Sequence, residues 1–318
     1  MKNVWQDLDH ESIFRAIEGT IGAKLTSLLI QRNSYINRVY ELEKQDGKER
    51  FIAKFYRPGR WTKEMILEEH GFLKELEAKE VPVITPMSIS NRTLFSLGNI
   101  HYALFPKKGG RAVDEFDKTS WENIGRHLAR IHAAGALHKS SKRILWRPGV
   151  ATKHHIKVLH TTDFLPKDFK KPFDDAAELF IKKFDKLFDN NGSMLIHGDC
   201  HKGNLIYRPG EGIWIIDFDD ICMGPPVQDL WMLLPGGVEE SQNELEWFLK
   251  GYETFRPFDT RSLKLIPALR GMRMIHFVSW LAVQSNDPHF SKHFSETGSP
   301  RYWNELIKEL QQIVYNNI

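Results

Sequence analysis

The sequence predicts an α+β protein of two lobes, an N-terminal lobe built on an antiparallel sheet with one helix and a mainly helical C-terminal lobe. Length is the first observation, because 318 residues exceed the roughly 100–200 residues of a typical domain. The second observation is a change of secondary-structure pattern along the chain, because short β-prone runs prevail in the first third and helical periodicity prevails after it. We therefore expect lobes at 1–105 and 106–318, with a ligand-sized cleft between them.

Ahead of the sheet, apolar residues recur at helical spacing over 8–19, and this pattern stops at Gly19 and Gly22. The one helix expected in the sheet lobe is amphipathic, lies at 63–79 and ends before Pro82. Five short β-prone runs complete the lobe, at 25–31, 38–43, 50–55, 94–97 and 102–105. Asp46 and Gly47 join the second run to the third and are a strong hairpin signal, so we expect a sheet of about five strands.

The C-terminal lobe shows helical periodicity in four segments, at 119–137, 173–189, 239–255 and 262–284. Trp231 and Trp280 are expected in its core. The segment 193–221 is the exception, because it is apolar and rich in β-prone residues. The strongest functional signal also lies in this segment.

The charge of the chain argues against several classes of protein. Lys and Arg number 44 and Asp and Glu 41, and a net charge of +3 gives no general electrostatic reason to bind nucleic acid or an anionic membrane. The longest apolar run, 274–283, is well short of the ~18–20 residues that span a bilayer, and residues 1–20 lack the order of a signal peptide. Cys200 and Cys222 are too few for a disulfide framework. We expect a cytoplasmic monomer with no nucleic acid or membrane partner.

The most informative residues lie in two short motifs, HGDCHKGN at 197–204 and DFDD at 217–220. A four-residue turn between them would pair 206 with 215 and 204 with 217. That register brings Asn204 and Asp217 together at the open end of one hairpin, with Asp199 on the loop before it.

This arrangement is suited to phosphoryl transfer. Asn204 and Asp217 offer hard oxygen ligands for Mg²⁺, and Asp199 is placed to accept a proton from an attacking hydroxyl group. Such a base, with an Asn and an Asp on the metal, is what phosphoryl transfer requires, and the protein-kinase catalytic loop has the same Asp-x-x-x-x-Asn spacing. We interpret Asp199 and Asp217 as catalytic residues, and Asn204 and Asp217 as metal ligands.

The same residues admit other interpretations. They could be ordinary loop residues, although the hairpin and the second acidic motif argue against coincidence. His197, Cys200 and His201 could bind zinc, although they lack the second Cys/His pair of a structural zinc site, and we expect His197 to brace the loop instead. Asp219 and Asp220 either bind a second metal or form hydrogen bonds within the loop.

The N-terminal lobe is expected to supply a cation for the phosphates. Lys54 lies inside an apolar strand, where a lysine is costly unless it is paired. Glu68 or Glu69 on the following helix can pair with it, and counting back from the helix end favours Glu69; a solvated edge-strand lysine is the alternative. The turn 33–37 between the first two strands has no glycine, so the Ser34 hydroxyl and nearby backbone N–H groups are the candidates for contact with phosphate.

These residues resemble the aminoglycoside-phosphotransferase and choline-kinase superfamily, whose signature is His-x-Asp followed by an Asn and a metal-binding Asp. The similarity extends to the bacterial stress response kinase A family of Ser/Thr protein kinases. The blocks that carry it run in order along the chain, at 33–40, 54–58, 60–62, 66–70, 224–234 and 267–273. Mild departures are a longer catalytic hairpin turn and a Phe at position 218, where Leu is common in the family.

The resemblance implies a bilobal protein-kinase-like fold and ATP- and Mg²⁺-dependent phosphorylation of Ser and Thr in proteins, including the chain itself. It also implies a cytoplasmic role during envelope or oxidative stress. By position, Asp199 matches the family's catalytic Asp, and Asn204 and Asp217 match its Mg²⁺ ligands. Ser34 matches a nucleotide-loop serine and Lys54 the phosphate-binding lysine.

Two alternatives remain open at this point. A small-molecule kinase acting on an aminoglycoside, choline, homoserine or a sugar would use the same base and metal ligands. A cationic acceptor would require a strongly acidic pocket, and the run Asp114, Glu115 and Asp117 resembles a solvated helix start. A pseudokinase that binds nucleotide without transferring phosphate is disfavoured, because base, metal ligands and lysine are all present. Arg270 and Arg273 either face the cleft toward an anionic substrate or form structural ion pairs.

Overall fold

The computed structural model describes residues 4–113, 115–188, 192–285 and 297–316. Its first part is a five-stranded antiparallel sheet with two helices, in the strand order β1-β2-β3-β5-β4. The elements are α1 (His10–Ile21), β1 (Leu25–Arg32), β2 (Arg38–Lys44), β3 (Arg50–Phe55), α2 (Lys63–Ala78), β4 (Phe95–Leu97) and β5 (Ile100–Pro106). The predicted sheet of five strands is confirmed, and so is the α+β class with a sheet followed by helices. This part has two helices, α1 and α2, where one was expected, because the helical spacing over 8–19 also forms a helix.

The two faces of this sheet have different environments, because side chains alternate along a strand. Tyr40 and Leu42 on β2 and Phe55 on β3 lie on the face that packs against α1 and forms a separate apolar core. The opposite face presents Val39 and Lys54, which are paired in register and line a cleft. A strand lysine therefore faces the cleft without entering the core.

The remaining part of the chain is mainly helical. Its helices are α3 (Lys118–Gly135), α4 (Lys153–His160), α5 (Lys167–Phe184), α6 (Val227–Trp231), α7 (Gln242–Tyr252), α8 (Ile266–Gln284) and α9 (Pro300–Asn316). The periodicity predicted α3, α5, α7 and α8 but not α4, α6 or α9. Helices α3 and α7 pack closely at Gly125 and Gly251, where a Cβ atom would collide with the backbone of the other helix.

Short strands position the catalytic motifs among these helices. β6 (Arg111–Ala112) pairs with β8 (Leu205–Arg208), which pairs with β9 (Gly212–Ile215), and β7 (Met194–Ile196) pairs with β10 (Cys222–Gly224). The apolar face of α2 packs into the core of the helical part, through Phe72, Leu73 and Leu76. Helix α2 thus joins the sheet to the helical part, and the division at residue 105 stays a prediction.

The predicted register of the β8–β9 hairpin is wrong by one residue. Ile206 pairs with Trp214 rather than with Ile215, because the loop has three residues instead of four. Gly210 and Gly212 both adopt positive φ angles, of 80° and 84°, and glycine reaches this region without a steric cost. The tighter loop places Asn204 opposite residue 216, since Ile216 N donates to Asn204 O at 2.9 Å.

Two other expectations concern Trp280 and the acidic run before α3. Trp280 is partly exposed and lines the cleft rather than the core. Asp117 is the N-cap of α3 and accepts a hydrogen bond from Ser120 N, as expected of a helix start, whereas Asp114 lies outside the described residues. Within the described ranges, no helix is both long enough and apolar enough to cross a membrane.

Candidate active site

A cleft of about 700 Å³ lies between the inner face of the sheet and the helical part. Every predicted site residue lines it: Ser34, Lys54, Glu69, Asp199, Asn204 and Asp217. The structure therefore brings together side chains that are up to 183 residues apart in sequence, the separation of Ser34 and Asp217. The functional role of each residue stays a prediction.

The loop before β8 is held by its own histidine and glycine. His197 Nε2 lies 3.0 Å from Ile216 O, and its Nδ1 accepts the Asp199 N–H at 3.3 Å, so the two contacts define one tautomer. Gly198 has a φ of 83°, and a Cβ atom there would collide with Asp220 O. The predicted bracing role of His197 is seen directly, and glycine is required at 198.

The buried carboxylate of Asp229, on α6, fixes this loop through hydrogen bonds to its backbone. Asp229 accepts hydrogen bonds from His197 N and Gly198 N, both at 2.8 Å, and its Oδ2 lies 3.0 Å from His132 Nε2. Its side chain is fully buried. Buried charges require such partners, and Asp229 is therefore a structural brace for the catalytic loop.

Asp199 lies at the helical side of the cleft, where it contacts two cationic or polar side chains. Arg273 Nη1 on α8 donates to Asp199 Oδ1, and His201 Nε2 lies 3.5 Å from Asp199 Oδ2. Burial alone would raise the pKa of Asp199, but the His201 hydrogen bond and the Arg273 charge outweigh it and hold that pKa well below its usual range. The carboxylate is ionised at neutral pH. We call Asp199, Arg273 and His276 the arginine end of the cleft.

Asn204 and Asp217 lie at neighbouring ends of β8 and β9. Asn204 Nδ2 donates to Asp199 O at 2.9 Å, which ties its amide to the loop that carries the base. Asp217 adopts a left-handed φ of 65° and keeps 51% of its side chain exposed toward the cleft. A non-glycine residue in this region is uncommon and is often found at functional sites.

Lys54 contacts two carboxylates from the DFDD motif. Its Nζ donates to Asp217 Oδ1 at 3.1 Å and to Asp219 Oδ1. Burial would lower the pKa of Lys54, but the charges of Asp217 and Asp219 outweigh it and raise that pKa well above its usual range. We call Lys54, Asp217 and Asp219 the lysine end of the cleft.

The expected direct pairing of Lys54 with Glu69 is wrong. Glu69 is buried and lines the cleft, but its Oε2 has no hydrogen-bond partner. Burial and the charge of Asp219 raise the pKa of Glu69 to about 8, so its carboxyl group is largely protonated at neutral pH. Asp219 takes the position expected of Glu69 because it is also buried and lies closer to the ammonium group.

Asp219 and Asp220 have hydrogen-bond partners that the sequence did not suggest. Asn37 Nδ2 donates to Asp219 Oδ2 at 2.6 Å, and Arg60 Nη2 lies 2.6 and 2.8 Å from the two carboxylate oxygens of Asp220. Arg143 Nη1 donates to Asp219 O at 2.9 Å. The only sequence feature that could have pointed to Arg60 as a site residue is its position in one of the blocks that resemble the family. No sequence feature pointed to Arg143.

The structure also bears on the predicted phosphate-contacting loop and on the zinc alternative. The loop between β1 and β2 lines the cleft with Ser34, which is half-buried. Cys200 is fully buried and burial raises the pKa of its thiol well above its usual range, which disfavours a thiolate ligand. Among the described residues, no group of three or more His, Cys, Asp and Glu side chains could hold a metal ion.

The donor set does fit a magnesium ion. Mg²⁺ usually takes one or two protein oxygen ligands and completes its shell with water and phosphate. Asn204 and Asp217 supply an amide oxygen and a cleft-facing carboxylate, and the Asn204 amide nitrogen is already used on Asp199 O. These two residues would hold the ion. Water and phosphate would complete its shell, so a cluster of three or more ligating side chains is not needed.

A bilobal fold with these motifs defines a kinase-like phosphotransferase, and comparisons with known proteins identify the family. The profile of the phosphotransferase enzyme family matches residues 29–266. Stress response kinase A of Escherichia coli (strain K12) is 36% identical over 287 residues, which cover 89% of this chain and 85% of that protein. The Serine/threonine protein kinase RdoA of Salmonella typhimurium is 35% identical over 304 residues, covering 94% and 90%.

The fold has solved counterparts as well. The structure of amicoumacin kinase hAmiN in complex with AMP-PNP, Ca²⁺ and Ami aligns with a TM-score of 0.78 at 19% identity, covering 98% of this chain and 95% of that one. At that identity the likeness shows the fold alone. This chain belongs to the phosphotransferase enzyme family and, within it, to the stress response kinase A family.

Proposed function

We propose that this phosphotransferase is an ATP- and Mg²⁺-dependent Ser/Thr protein kinase that also phosphorylates itself and acts in a bacterial stress response. The observation that carries the proposal is the arrangement of the ionised Asp199 carboxylate and the Lys54–Asp217 pair in one cleft. Relatives named stress response kinase A and Serine/threonine protein kinase RdoA support the protein substrate and the stress role.

Each residue has a distinct part in the proposed reaction. Asp199 accepts a hydrogen bond from the Ser or Thr hydroxyl, orients it and takes its proton as the new bond forms. Asn204 and Asp217 would hold Mg²⁺, which supplies charge neutralisation on the phosphates when it is bound. Lys54 is the cation for the phosphates.

The loop that covers the phosphates has a less usual composition. It carries Ser34 and lacks glycine, so its hydroxyl and backbone N–H groups would provide the contacts that a Gly-rich loop makes elsewhere. Glu69 lies behind the lysine end, and its raised pKa favours a neutral carboxyl group there. Asp217 and Asp219 then make the largest contributions that keep Lys54 charged.

A small-molecule kinase is the second candidate, and one observation favours it. The well-aligned amicoumacin kinase was solved with a small-molecule ligand, Ami, in addition to AMP-PNP and Ca²⁺. Its 19% identity is too low to transfer a substrate. The relatives at 35–36% identity are the better guide, and one of them is named as a protein kinase.

Transfer of labelled phosphate from Mg-ATP tests the proposal. The purified chain is incubated alone, with a generic Ser/Thr protein, and with a panel of small alcohols and aminoglycosides. The Asp199→Asn variant is run beside it, because the amide is isosteric with the carboxylate and a contaminating kinase would be unaffected by the change. Label on protein that disappears in the variant supports the proposal, whereas label only on a small molecule favours the second candidate.

A further inference from the structure

The arginine end of the cleft carries a cation that the proposed reaction does not use. Arg273 lies on α8 and lines the cleft, with 31% of its side chain exposed. Its guanidinium contacts Asp199, the carboxylate that would meet the acceptor hydroxyl. Any acceptor that reaches Asp199 must therefore also approach Arg273.

The carboxylates around this end already have cationic partners. Arg273 is paired with Asp199, and Arg60 with Asp220. At the other end of the cleft, Lys54 is paired with Asp217 and Asp219. Over the part of the chain that the structure describes, the cleft thus offers no unpaired aspartate to a cationic acceptor, which an aminoglycoside or choline would require.

Arg273 has the geometry and the surroundings of an anion-binding group. A guanidinium has five N–H donors and binds carboxylates or phosphates through a planar fork, and Asp199 Oδ1 occupies one of its nitrogens. His276, one turn along α8, lines the same end. Burial and then the charges of Arg273 and Arg60 lower the pKa of His276 to about 3, so this imidazole is neutral at pH 7 and Arg273 is the cation of this end.

We propose that Arg273 makes the acceptor site selective for a hydroxyl with a neighbouring negative charge, in practice a Ser or Thr beside an acidic residue. This inference rests on the proposed protein-kinase function. An acidic side chain of the acceptor accepts hydrogen bonds from Arg273 and weakens its hold on Asp199. Asp199 is then a better acceptor for the hydroxyl proton.

The transfer step itself is balanced by groups already named. The hydroxyl oxygen forms a bond to the γ-phosphorus of ATP, and the bond from that phosphorus to the β–γ bridging oxygen breaks. The proton passes to Asp199 and ADP leaves. Arg273 takes no part in bond making, so it is a specificity-determining residue rather than a catalytic one.

A pair of peptides tests this proposal. Both carry one Ser in the same sequence, flanked by Glu in one peptide and by Gln in the other, and kcat/KM is measured for each with Mg-ATP. The variants are Arg273→Gln and, as a matched control, Arg270→Gln. Arg270 lies one turn earlier on α8, is 60% exposed and pairs with Glu309 outside the cleft.

We expect the unmodified chain to prefer the Glu peptide by about tenfold, the scale of one charge-assisted hydrogen bond. Arg273→Gln should bring the ratio of the two kcat/KM values close to one, and Arg270→Gln should leave it unchanged. Because each ratio is taken within one variant, a general loss of activity through Asp199 cancels. A preference that survives in Arg273→Gln, or is absent from the unmodified chain, overturns the proposal and leaves the protein-kinase function standing.

Failure of the proposed function gives a different result. If no peptide and no protein is labelled, the protein-kinase function is overturned, and binding of the same peptides is measured by fluorescence anisotropy with a non-hydrolysable ATP analogue. Tighter binding of the Glu peptide that is lost in Arg273→Gln supports the acidic acceptor site. Equal binding of the two peptides overturns it.

Discussion

The two ends of the cleft neutralise their carboxylates in different ways. At the lysine end, Lys54 is 13% exposed and lies between Asp217 and Asp219. At the arginine end, Arg273 is 31% exposed and, among the residues that the structure describes, pairs with one carboxylate, that of Asp199. The buried Lys54–Asp219 pair cannot be broken without a large electrostatic cost, whereas a partly exposed arginine can exchange its partner. The Lys54–Asp219 pair at the lysine end is therefore fixed, and the Arg273–Asp199 pair at the arginine end is exchangeable.

The largest expected effect comes from removing the base at the arginine end. Asp199→Asn should lower kcat by about 10²–10⁴-fold, the usual contribution of a general base, because the amide cannot take the hydroxyl proton. Affinity for Mg-ATP should change little, since the lysine end is intact. Steady-state kinetics and a calorimetric titration separate these quantities, and near-normal turnover would remove Asp199 from the mechanism.

Removing the cation at the lysine end should cost stability. Lys54→Met leaves the buried Asp219 without its charged partner, and breaking a buried ion pair in this way typically costs about 3–5 kcal/mol. Urea unfolding in the absence of metal measures the change. Arg270→Gln serves as the control, because its exposed pair with Glu309 should contribute less than about 1 kcal/mol. Equal effects of the two variants would contradict a fixed lysine end.

The Mg²⁺ dependence of ATP binding should also distinguish the lysine end of the cleft from the arginine end. Asp217→Asn should weaken the Mg²⁺-dependent part of ATP binding by at least about 10–100-fold, the range seen when support for a metal site is lost. Titration with ATP in Mg²⁺ and after metal removal by EDTA measures that part directly. Asp199→Asn should keep it, and a titration unchanged by Asp217→Asn would reject the metal assignment.

The smallest effect concerns the pH dependence of stability at the lysine end. The pKa of Glu69 is raised from 4.5 to about 8 in the folded chain, so the folded state holds this proton more tightly than the unfolded state. Its contribution to stability is fully present below pH 4.5 and is lost as the pH rises toward 8.

The Glu69→Gln variant tests this sign. Its unfolding free energy, relative to that of the unmodified chain, should increase by at most about 3 kcal/mol between pH 5 and 8. Unfolding at several pH values without metal provides the measurement. A relative stability that falls over this range would mean that Glu69 is ionised in the folded state.

Local patterns were sufficient for most of the fold. The β-prone runs at 38–43 and 50–55, joined by a hairpin signal, predicted β2 and β3, and helical spacing predicted α2, because these signals depend on short stretches of backbone alone. The short helix α6 was missed because five residues give too little periodicity. The β8–β9 register was missed because two glycines at positive φ shortened the loop.

The sequence by itself determined the fold class, the family and the motif that brings Asp199, Asn204 and Asp217 to one hairpin, because these depend on local periodicity and short spacing. Only the tertiary structure decided which charges meet. Asp219 rather than Glu69 contacts Lys54, 165 residues away, and Arg273 contacts Asp199, 74 residues away. Such pairings depend on which side chains the packed elements bring within a few ångströms, and Coulomb interactions in a partly buried cleft are strong only at that range.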